Sequence, residues 1–435
     1  MRTSNLLKRL NPLNQINNNR GIALLIALFA MTLMIFIATE VSYDTAVEYV
    51  VASQQVQRVK AYYAAKAGIE MGLLRIQLYK QAMVSLGDTL GPQKSMLDMI
   101  WQFPMTWPPT IPEKVNVTTV DKDMIKSSVD ESLMDAQYAI TIEPESGKLN
   151  INNLGSDLKT LKAATKTELL KIFDTKIRTD DAFRNKYSNV NFEELVNNIM
   201  DWVSEDKASA NGGDKAHFYE KMDLKDTNRD FIPAGRPFKT MDELHMVAGM
   251  KDDFYKLLEP RVTIYGVDGI NVNYANKEML MSLDPSFSEE AVNAVMKRRN
   301  DPKEGGPFPS GEDCDKQFFA YISPYGVNVR AIADSKIFLF CDPEYNFRVT
   351  STGLALKAKR EITAITFDLD NLSSRLADAL TKQDADNGGA GPSAVPAPAP
   401  APTPGAPATP APAPTNKAKM KAPKGRPTVV YWEDT

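Results

Sequence analysis

The chain has 435 residues, of which 43% are hydrophobic and 24% are charged, so it can bury a sizeable core, and its length predicts two or three domains. Its 51 basic and 55 acidic residues give a formal charge of -4, which supplies no overall positive field for a nucleic-acid backbone. The composition therefore argues against large-scale nucleic-acid binding.

An apolar run follows a basic N-terminal segment. Residues 22–39 carry no charge, and the residues before Gly21 include four basic side chains and no acidic one. At about 1.5 Å per residue, the run spans about 27 Å, which is enough to cross the hydrocarbon core of a thin bilayer. Positive charge in front of the run keeps that end in the cytoplasm, so the sequence predicts a single-pass anchor.

The order of these features also predicts a cleavage site. In an ordinary secretory signal the cut follows the apolar run, whereas here the site-like pair Arg20-Gly21 precedes it. A cut after Gly21 would leave the anchor in the chain, with Ile22 as the new first residue. This order is typical of type IV prepilins and pseudopilins, which the chain resembles. A signal anchor on an unrelated periplasmic domain is the alternative.

A long helix is predicted to leave the membrane. No proline occurs between Pro12 and Pro92, and apolar side chains recur beyond residue 39 at intervals of three, four and seven. We expect this stripe to pack on a sheet, as it does in pilins. Its members are Val59, Tyr62, Ile69, Leu73 and Ile76.

Strand-like alternation occurs on both sides of a mainly helical stretch. The sequence therefore predicts an α+β, pilin-like fold, in which the long N-terminal helix packs on an antiparallel sheet and a large all-α domain is inserted into that sheet. The predicted strands are 115–120, 137–143, 337–340, 347–352 and 361–367.

The predicted division of the chain follows from these patterns. It consists of a leader (1–21), the transmembrane part of the helix (22–39), its periplasmic part (40–85), the first part of the sheet (86–148), the inserted helical domain (149–310), the second part of the sheet (311–372) and a Pro/Ala-rich tail with a basic and aromatic end (373–435). The alanine and proline content of 387–414 is typical of a linker. For the apolar end, 428–435, a strand added to a partner, a tether and disorder are the alternatives.

Four segments carry a more specific resemblance: 140–154, 200–219, 238–250 and 270–299. The last resembles the paired helices of helix-hairpin-helix proteins, and together the four resemble the type II secretion system protein K family (general secretion pathway protein K). The fifth residue after the proposed cut, usually glutamate in pilins, is the apolar Ile26 here. The same departure is characteristic of that family.

The resemblance implies a function and its partners. It implies a minor pseudopilin that caps the pseudopilus tip and helps to initiate assembly for protein export across the outer membrane. The implied partners are minor pseudopilins I and J, with H as a further candidate, and the prepilin peptidase. The implied location is the inner membrane, crossed once, with the bulk in the periplasm. A minor subunit of a type IV pilus or a DNA-uptake pilus is the alternative.

The paired-helix segment raises the question of DNA binding. Phosphate binding by such hairpins needs glycines that expose backbone N–H groups, but residues 283–291 contain no glycine and three carboxylates. The basic cluster Lys297, Arg298 and Arg299 is explained by compensation of a helix dipole. The sequence therefore predicts no nucleic-acid partner.

Calcium is the cofactor that the resemblance implies for the helical domain. Asp226, Asn228 and Asp230 alternate in a polar loop like the opening of an EF-hand, but the glycine and the distal glutamate of that motif are absent. Asp201 and Asp206 are further candidate ligands. A solvated acidic loop without calcium is the alternative.

The remaining candidate chemistry is sparse. Cys314 and Cys341 form a disulfide in an oxidising compartment or else are two buried thiols. Neither His217 nor His245 has the spacing of a zinc site, and the sequence contains no nucleophile elbow, P-loop or dinucleotide fingerprint. The sequence therefore predicts a protein that is not an enzyme.

Overall fold

The computed structural model describes residues 20–109, 126–132, 134–215, 233–311, 313–368 and 425–435. Within these residues the helices are α1 (Arg20–Leu90), α2 (Met99–Gln102), α3 (Lys159–Thr179), α4 (Asp181–Tyr187), α5 (Phe192–Val203), α6 (Asp252–Leu258), α7 (Lys277–Ser282), α8 (Glu289–Asn300), α9 (Cys314–Ile322) and α10 (Val329–Asp334). Short 3-10 helices cover Gly91–Asp98, Ile151–Gly155, Met241–Met246, Pro302–Glu304 and Ser323–Tyr325.

The strands in the described residues fall into one larger sheet and two small ones. They are β1 (Met105–Trp107), β2 (Gln137–Pro144), β3 (Leu149–Asn150), β4 (Val262–Thr263), β5 (Ile270–Asn271), β6 (Leu339–Phe340), β7 (Phe347–Ala355), β8 (Ala358–Thr366) and β9 (Val429–Asp434). The larger sheet has the order β1-β2-β7-β8-β9, and its neighbours are all antiparallel. The pairs β3-β4 and β5-β6 are parallel.

α1 is one continuous helix of 71 residues. Among the described residues it is the one helix that is long and apolar enough to cross a membrane. At about 1.5 Å per residue it extends over about 105 Å, so its outer half projects well beyond a bilayer. The predicted long helix on an antiparallel sheet is confirmed.

The buried stripe of α1 is shorter than the sequence predicts. Ile69, Leu73 and Ile76 are fully buried against the sheet, where they meet residues such as Ile140 and Val349. Val59 is 54% exposed, however, so its assignment to the stripe was wrong. Buried positions begin at Ala61, since the sheet does not extend along α1 as far as Val59.

Glycines set how closely α1 approaches the sheet. A Cβ on Gly353 of β7 would collide with the backbone oxygen of Ala61 and would lie 2.5 Å from the backbone nitrogen of Ala65. Both obstacles belong to a helix backbone that cannot rotate away. The contact between α1 and β7 therefore requires glycine at position 353.

Replacing Gly353 by alanine should lower the free energy of unfolding by about 1–3 kcal/mol, because helix and sheet must separate to admit the methyl group. Gly87→Ala is the matched control, since the nearest atom to its Cβ, the Met83 sulfur, lies 4.0 Å away. Chemical unfolding of both variants in detergent measures the difference. Equal stability of the two variants would contradict the close contact.

A helical domain is inserted between β2 and β7. It has a hydrophobic core of its own, which includes Phe173, Leu258 and Phe318 and is distinct from the core between α1 and the sheet. The predicted end of this domain at 310 was too early, because buried residues as far as Cys341 belong to its core. The second part of the sheet accordingly begins at Phe347 rather than at 311.

Three other predictions about strands differ from the structure. The segment 337–340 contributes the two-residue strand β6, which pairs with β5 inside the inserted domain and not with the larger sheet. The end of the tail forms β9 on this chain's own sheet. β1, next to prolines, was missed, and the predicted strand at 115–120 lies outside the described residues.

Candidate functional site: the anchor helix and the junction of the inserted domain

The predicted cleavage and assembly residues lie at the start of α1. Gly21, Ile22 and Ile26 are all exposed in its first two turns, and among the described residues no atom outside the adjoining helix backbone lies within 4 Å of the position of a Cβ on Gly21. Their exposure leaves them free to meet a processing enzyme or another subunit. These roles remain predictions.

Apolar side chains are exposed on α1 beyond the apolar run as well. They are Val41, Tyr43, Val47, Tyr49, Val50, Val51, Val56, Val59 and Tyr63. A stretch of exposed valines and tyrosines of this length is unusual on a surface that faces water. This part of α1 is therefore suited to packing against other helices.

The chain enters the inserted domain at a buried carboxylate, Glu145. Its Oε1 accepts a hydrogen bond of 2.6 Å from Nε of Arg348 on β7, and its Oε2 accepts one of 2.5 Å from the Thr263 hydroxyl on β4. Burial acts to raise the pKa of the Glu145 carboxyl, but the charges of Lys148 and Arg348 and these hydrogen bonds outweigh burial and leave the pKa below its ordinary value. Glu145 thus joins the sheet to the inserted domain.

The chain leaves the inserted domain at a second buried carboxylate, Glu344. Its Oε1 accepts backbone hydrogen bonds from Tyr345 at 3.0 Å and Asn346 at 2.9 Å, and its Oε2 accepts one from the Ser146 hydroxyl. Ser146 directly follows Glu145, so the entry and exit of the domain are bonded to each other. This pair of crossings, Glu145–Ser146 and Glu344–Asn346, is called the junction below.

Close packing completes the junction. A Cβ on Gly147 would collide with the backbone of Tyr274, so the chain passes directly against the inserted domain at this point. The Tyr274 hydroxyl in turn donates a hydrogen bond of 2.8 Å to Asp98, whose pKa burial raises to about 6. Tyr274 also contacts the Trp101 ring, at 6.0 Å between centroids. The domain is therefore fixed to both the sheet and the segment that follows α1.

Inside the inserted domain, Glu168 of α3 is a fully buried carboxyl. Among the described residues neither of its oxygens has a hydrogen-bond partner, and the Lys171 ammonium lies 3.6 Å from Oε2. Burial raises the pKa of Glu168 to about 8, against the opposing charge of Lys171. No local pattern in the sequence indicates a buried carboxyl at this position, because the burial of Glu168 depends on how α3 packs.

The predicted calcium ligands are only partly described. Asp226, Asn228 and Asp230 lie outside the described residues. Asp201 is buried, and its oxygens accept hydrogen bonds from the Ser209 hydroxyl at 2.5 Å and the Ala210 N–H at 2.8 Å. The described residues contain no group of three or more acidic, histidine or cysteine side chains placed to hold a metal ion.

A lysine already neutralises the region around Asp201. The Lys215 ammonium donates to the backbone oxygens of Asp201 at 2.8 Å and Ser204 at 2.7 Å. Asp206 is exposed and accepts a hydrogen bond of 3.1 Å from the Ser204 hydroxyl. The Asp201 carboxylate thus holds the loop that contains Ser209 and Ala210, and Asp206 is open to solvent; their role as calcium ligands stays a prediction.

Cys314 and Cys341 are joined by a disulfide in the structure, across 27 positions. The bond links α9 to the residue that follows β6, so it ties the last helices of the inserted domain to the segment that returns to the sheet. Its loop length is typical of a disulfide that stabilises by about 3 kcal/mol. His245, by contrast, lies at the surface, stacked on Tyr255 at 4.0 Å between centroids.

The basic cluster at the end of α8 contacts protein groups. Lys297 forms an ion pair of 2.6 Å with Glu304, and the Arg298 guanidinium lies over the Phe308 ring, 4.2 Å from its centroid. Arg299 donates to the backbone oxygen of Val272 at 3.0 Å. These side chains support the fold of the domain and do not form an open basic surface.

Comparison with known proteins bears on the inserted domain above all. Residues 147–267 match the family model for type II secretion system protein K. No curated protein sequence matches the chain. The chain is also similar to a chain in the crystal structure of the GspK-GspI-GspJ complex from the enterotoxigenic Escherichia coli type 2 secretion system, with 17% identity, a TM-score of 0.48 and coverage of 74% of this chain and 94% of that one.

The family match begins at the junction and covers the first part of the inserted domain, which is the feature that distinguishes this chain from a plain pilin-like subunit. It does not favour the alternative of a type IV or DNA-uptake pilus subunit. Among the described residues, α1 is the helix that is long and apolar enough to serve as a single-pass membrane anchor. Residues 147–267 of the chain are thus similar to type II secretion system protein K, and the remaining residues lie outside that match.

Proposed function

We propose that this chain caps the tip of the pseudopilus and helps to initiate its assembly, with minor pseudopilins I and J as direct partners and H as a further one. The observation that carries this proposal is the size of the inserted domain relative to the spacing of anchor helices. The proposal places α1 across the inner membrane and the sheet and inserted domain in the periplasm.

The inserted domain is wide compared with the spacing of packed helices. The domain between β2 and β7 covers about 200 residues, for which the radius of gyration is about 16 Å by the scaling for compact domains. Packed helices lie only about 8–10 Å apart. A filament built from such anchors has no room for this domain above or beside every helix, so the domain fits at the end of the filament.

The start of α1 supports the same position. The family resemblance implies that a glutamate at the fifth mature residue meets the N-terminus of a neighbouring subunit during assembly, and Ile26 cannot make that contact. The exposed apolar stretch that includes Val47 and Val51 remains for lateral packing with other anchor helices. A subunit with these features joins helices beside it and starts or ends the filament.

Processing after Gly21 is the first prediction to test. Coexpression with a prepilin peptidase should remove residues 1–21, and intact mass spectrometry should show a mature chain that begins at Ile22. Gly21→Ala is the matched control and should stay uncut. An uncut wild-type chain, or a cut beyond Thr39, would contradict the pseudopilin assignment.

Partner capture tests the position in the filament. The mature chain should form a discrete complex with minor pseudopilins I and J in detergent, measured by size-exclusion chromatography with light scattering. Val47→Asp combined with Val51→Asp should weaken this complex, whereas Thr167→Asp, at an exposed position of α3, should not. Equal complex formation by all three chains would argue against assembly through α1.

Calcium binding within the inserted domain remains a proposal as well. Asp226, Asn228 and Asp230 supply the hard oxygen ligands that calcium prefers, and Asp206 is the exposed carboxylate nearest in sequence among the other candidates. Calorimetric titration of the calcium-depleted chain, with the Asp226→Asn and Asp230→Asn double variant as control, measures whether these residues bind the ion.

A further inference from the structure

The C-terminal segment, residues 425–435, forms the outer strand of the larger sheet. β9 pairs antiparallel with β8, and residues beyond both ends of the strand extend the pairing. Glu361 and Thr435 exchange two backbone hydrogen bonds of 3.0 and 2.9 Å, and the Phe367 N–H donates to the Thr428 oxygen at 3.0 Å. The segment is thus held along the outer edge of β8 from Glu361 to the end of the strand.

The connection between these two strands is far longer than their pairing requires. β8 ends at Thr366 and β9 begins at Val429, so residues 367–428 join them. Antiparallel neighbours need only about two to five residues to connect them. The pairing of β8 with β9 therefore does not account for a connection of this length.

Side-chain burial contributes little to holding β9. None of its residues is buried, and Val430 and Trp432 are 45% and 38% exposed. On β8, by contrast, Ile362 and Ala364 are completely buried against α1 and its neighbours. Backbone hydrogen bonds are therefore the largest part of the attachment of β9, and the half-buried Val429 and the buried Pro427 before the strand add the apolar contacts of the segment.

Two side-chain contacts with other parts of the chain supplement these backbone bonds, besides a hydrogen bond of 3.5 Å from the Thr435 hydroxyl to the Glu361 backbone oxygen. Arg426 forms an ion pair of 2.8 Å with Glu70 of α1, but both side chains are about half exposed, so the pair stabilises the segment by about 1 kcal/mol at most. The Tyr431 ring lies against that of Tyr265 in the inserted domain, at 5.5 Å between centroids. Neither contact prevents the segment from detaching.

We propose that the outer edge of β8 is a strand-binding surface for an extended peptide rich in aromatic and β-branched side chains, and that the chain's own C-terminal segment is its tethered, exchangeable occupant. Recognition is by strand addition, in which backbone hydrogen bonds supply affinity and the flanking side chains supply selectivity. The tether keeps the occupant at an effective concentration of about millimolar or below. A competing strand therefore displaces it only when presented at a similar local concentration.

This inference is independent of the proposed position at the pseudopilus tip, because it is tested on the isolated full-length chain in detergent.

Successive backbone N–H groups of β8 point to opposite sides of the strand. The Glu361 N–H bonds to Thr435, so the Thr363 N–H, two residues on, also faces β9, and the Ala364 N–H faces β7. Detachment of β9 exposes the first amide and leaves the second protected.

Native-state hydrogen exchange at single-residue resolution measures this opening. The Thr363 amide should exchange at least about a hundredfold faster than the Ala364 amide, because local release costs only a fraction of global unfolding. Exchange rates within about threefold of each other would overturn the proposal, since β9 would then open only together with the core.

Two matched variants test the binding surface itself. The Glu433 N–H faces β8 in the same alternation, whereas the Asp434 N–H faces solvent, where proline is tolerated. Glu433→Pro and Asp434→Pro each remove one acidic side chain, but only the first removes a hydrogen bond to β8. The probe is a fluorescent peptide with the sequence of residues 425–435.

The Glu433→Pro chain should bind this peptide at least about tenfold more tightly than the wild-type and Asp434→Pro chains do, because its own occupant is weakened. Equal, weak binding by all three chains, with unchanged thermal unfolding, would overturn the proposal. If the Glu433→Pro chain fails to fold, the exchange rates of Thr363 and Ala364 in the wild-type chain decide the question.

Discussion

Replacing Arg348 by methionine should lower the free energy of unfolding by about 3–5 kcal/mol, because it leaves the buried Glu145 carboxylate with only Lys148, 3.6 Å away, as a charged partner. Glu145 has no exposed side-chain surface, and the Arg348 nitrogen lies 2.6 Å from it. Methionine preserves the length of the aliphatic part and removes the charge. The measurement is chemical unfolding of the full-length chain in detergent.

Lys359→Met on β8 is the matched control for this variant. Lys359 also pairs with a glutamate, Glu361, at 3.0 Å, but that pair is exposed and should contribute less than about 1 kcal/mol. Comparable losses in the two variants would show that the junction pair stabilises the chain no more than a surface pair does.

The junction pair also has a defined pH dependence. The pKa of Glu145 is lowered in the folded chain, so its contribution to stability is present above the ordinary glutamate pKa and is lost as the pH falls through the lower, folded value. Arg348→Met should therefore lose most of its destabilising effect in acid, where the carboxyl is protonated in the folded and the unfolded state alike.

Glu168→Gln should have an opposite effect and stabilise the chain at neutral pH. Burial raises the pKa of Glu168 to about 8, so the folded chain holds a proton there that the unfolded chain has released. Stability of the wild-type chain should consequently fall as the pH rises from the ordinary glutamate pKa towards about 8. The loss between about pH 5 and about pH 8 is about 3–4 kcal/mol.

The measurement is the free energy of unfolding across that pH interval, compared between wild type and variant. Glutamine has the same shape and no charge to bury, so this part of the pH dependence should disappear. The contribution of Asp98, whose pKa is also raised, cancels in the comparison. Glu193→Gln, which alters an exposed carboxyl, is the control, and an unchanged slope in Glu168→Gln would contradict the assignment.

Periodicity made the framework of the molecule predictable. The absence of proline between Pro12 and Pro92 and the apolar run predicted a long helix, and alternation at 137–143, 347–352 and 361–367 identified β2, β7 and β8. These signals are local, because they record which faces of an isolated helix or strand must avoid water. The four family-like segments then located the inserted domain.

What escaped prediction depends on contacts between distant residues. Glu145 and Glu344 look like ordinary polar turn residues in the sequence. They are buried because the chain leaves the inserted domain next to the point where it enters that domain. β9 is short and lies beyond a proline-rich stretch, so nothing local indicates that its partner is β8. The helices after residue 310 were assigned to the sheet region because their burial against the inserted core has no periodic signature.

The two crossings at the junction have a mechanical consequence. Pro144 and Phe347 are register partners at the same end of β2 and β7, which pair over eight residues. Both covalent crossings into the inserted domain therefore lie side by side at one end of the sheet. Two adjacent crossings restrict rotation of the domain relative to the sheet more than a single connection would.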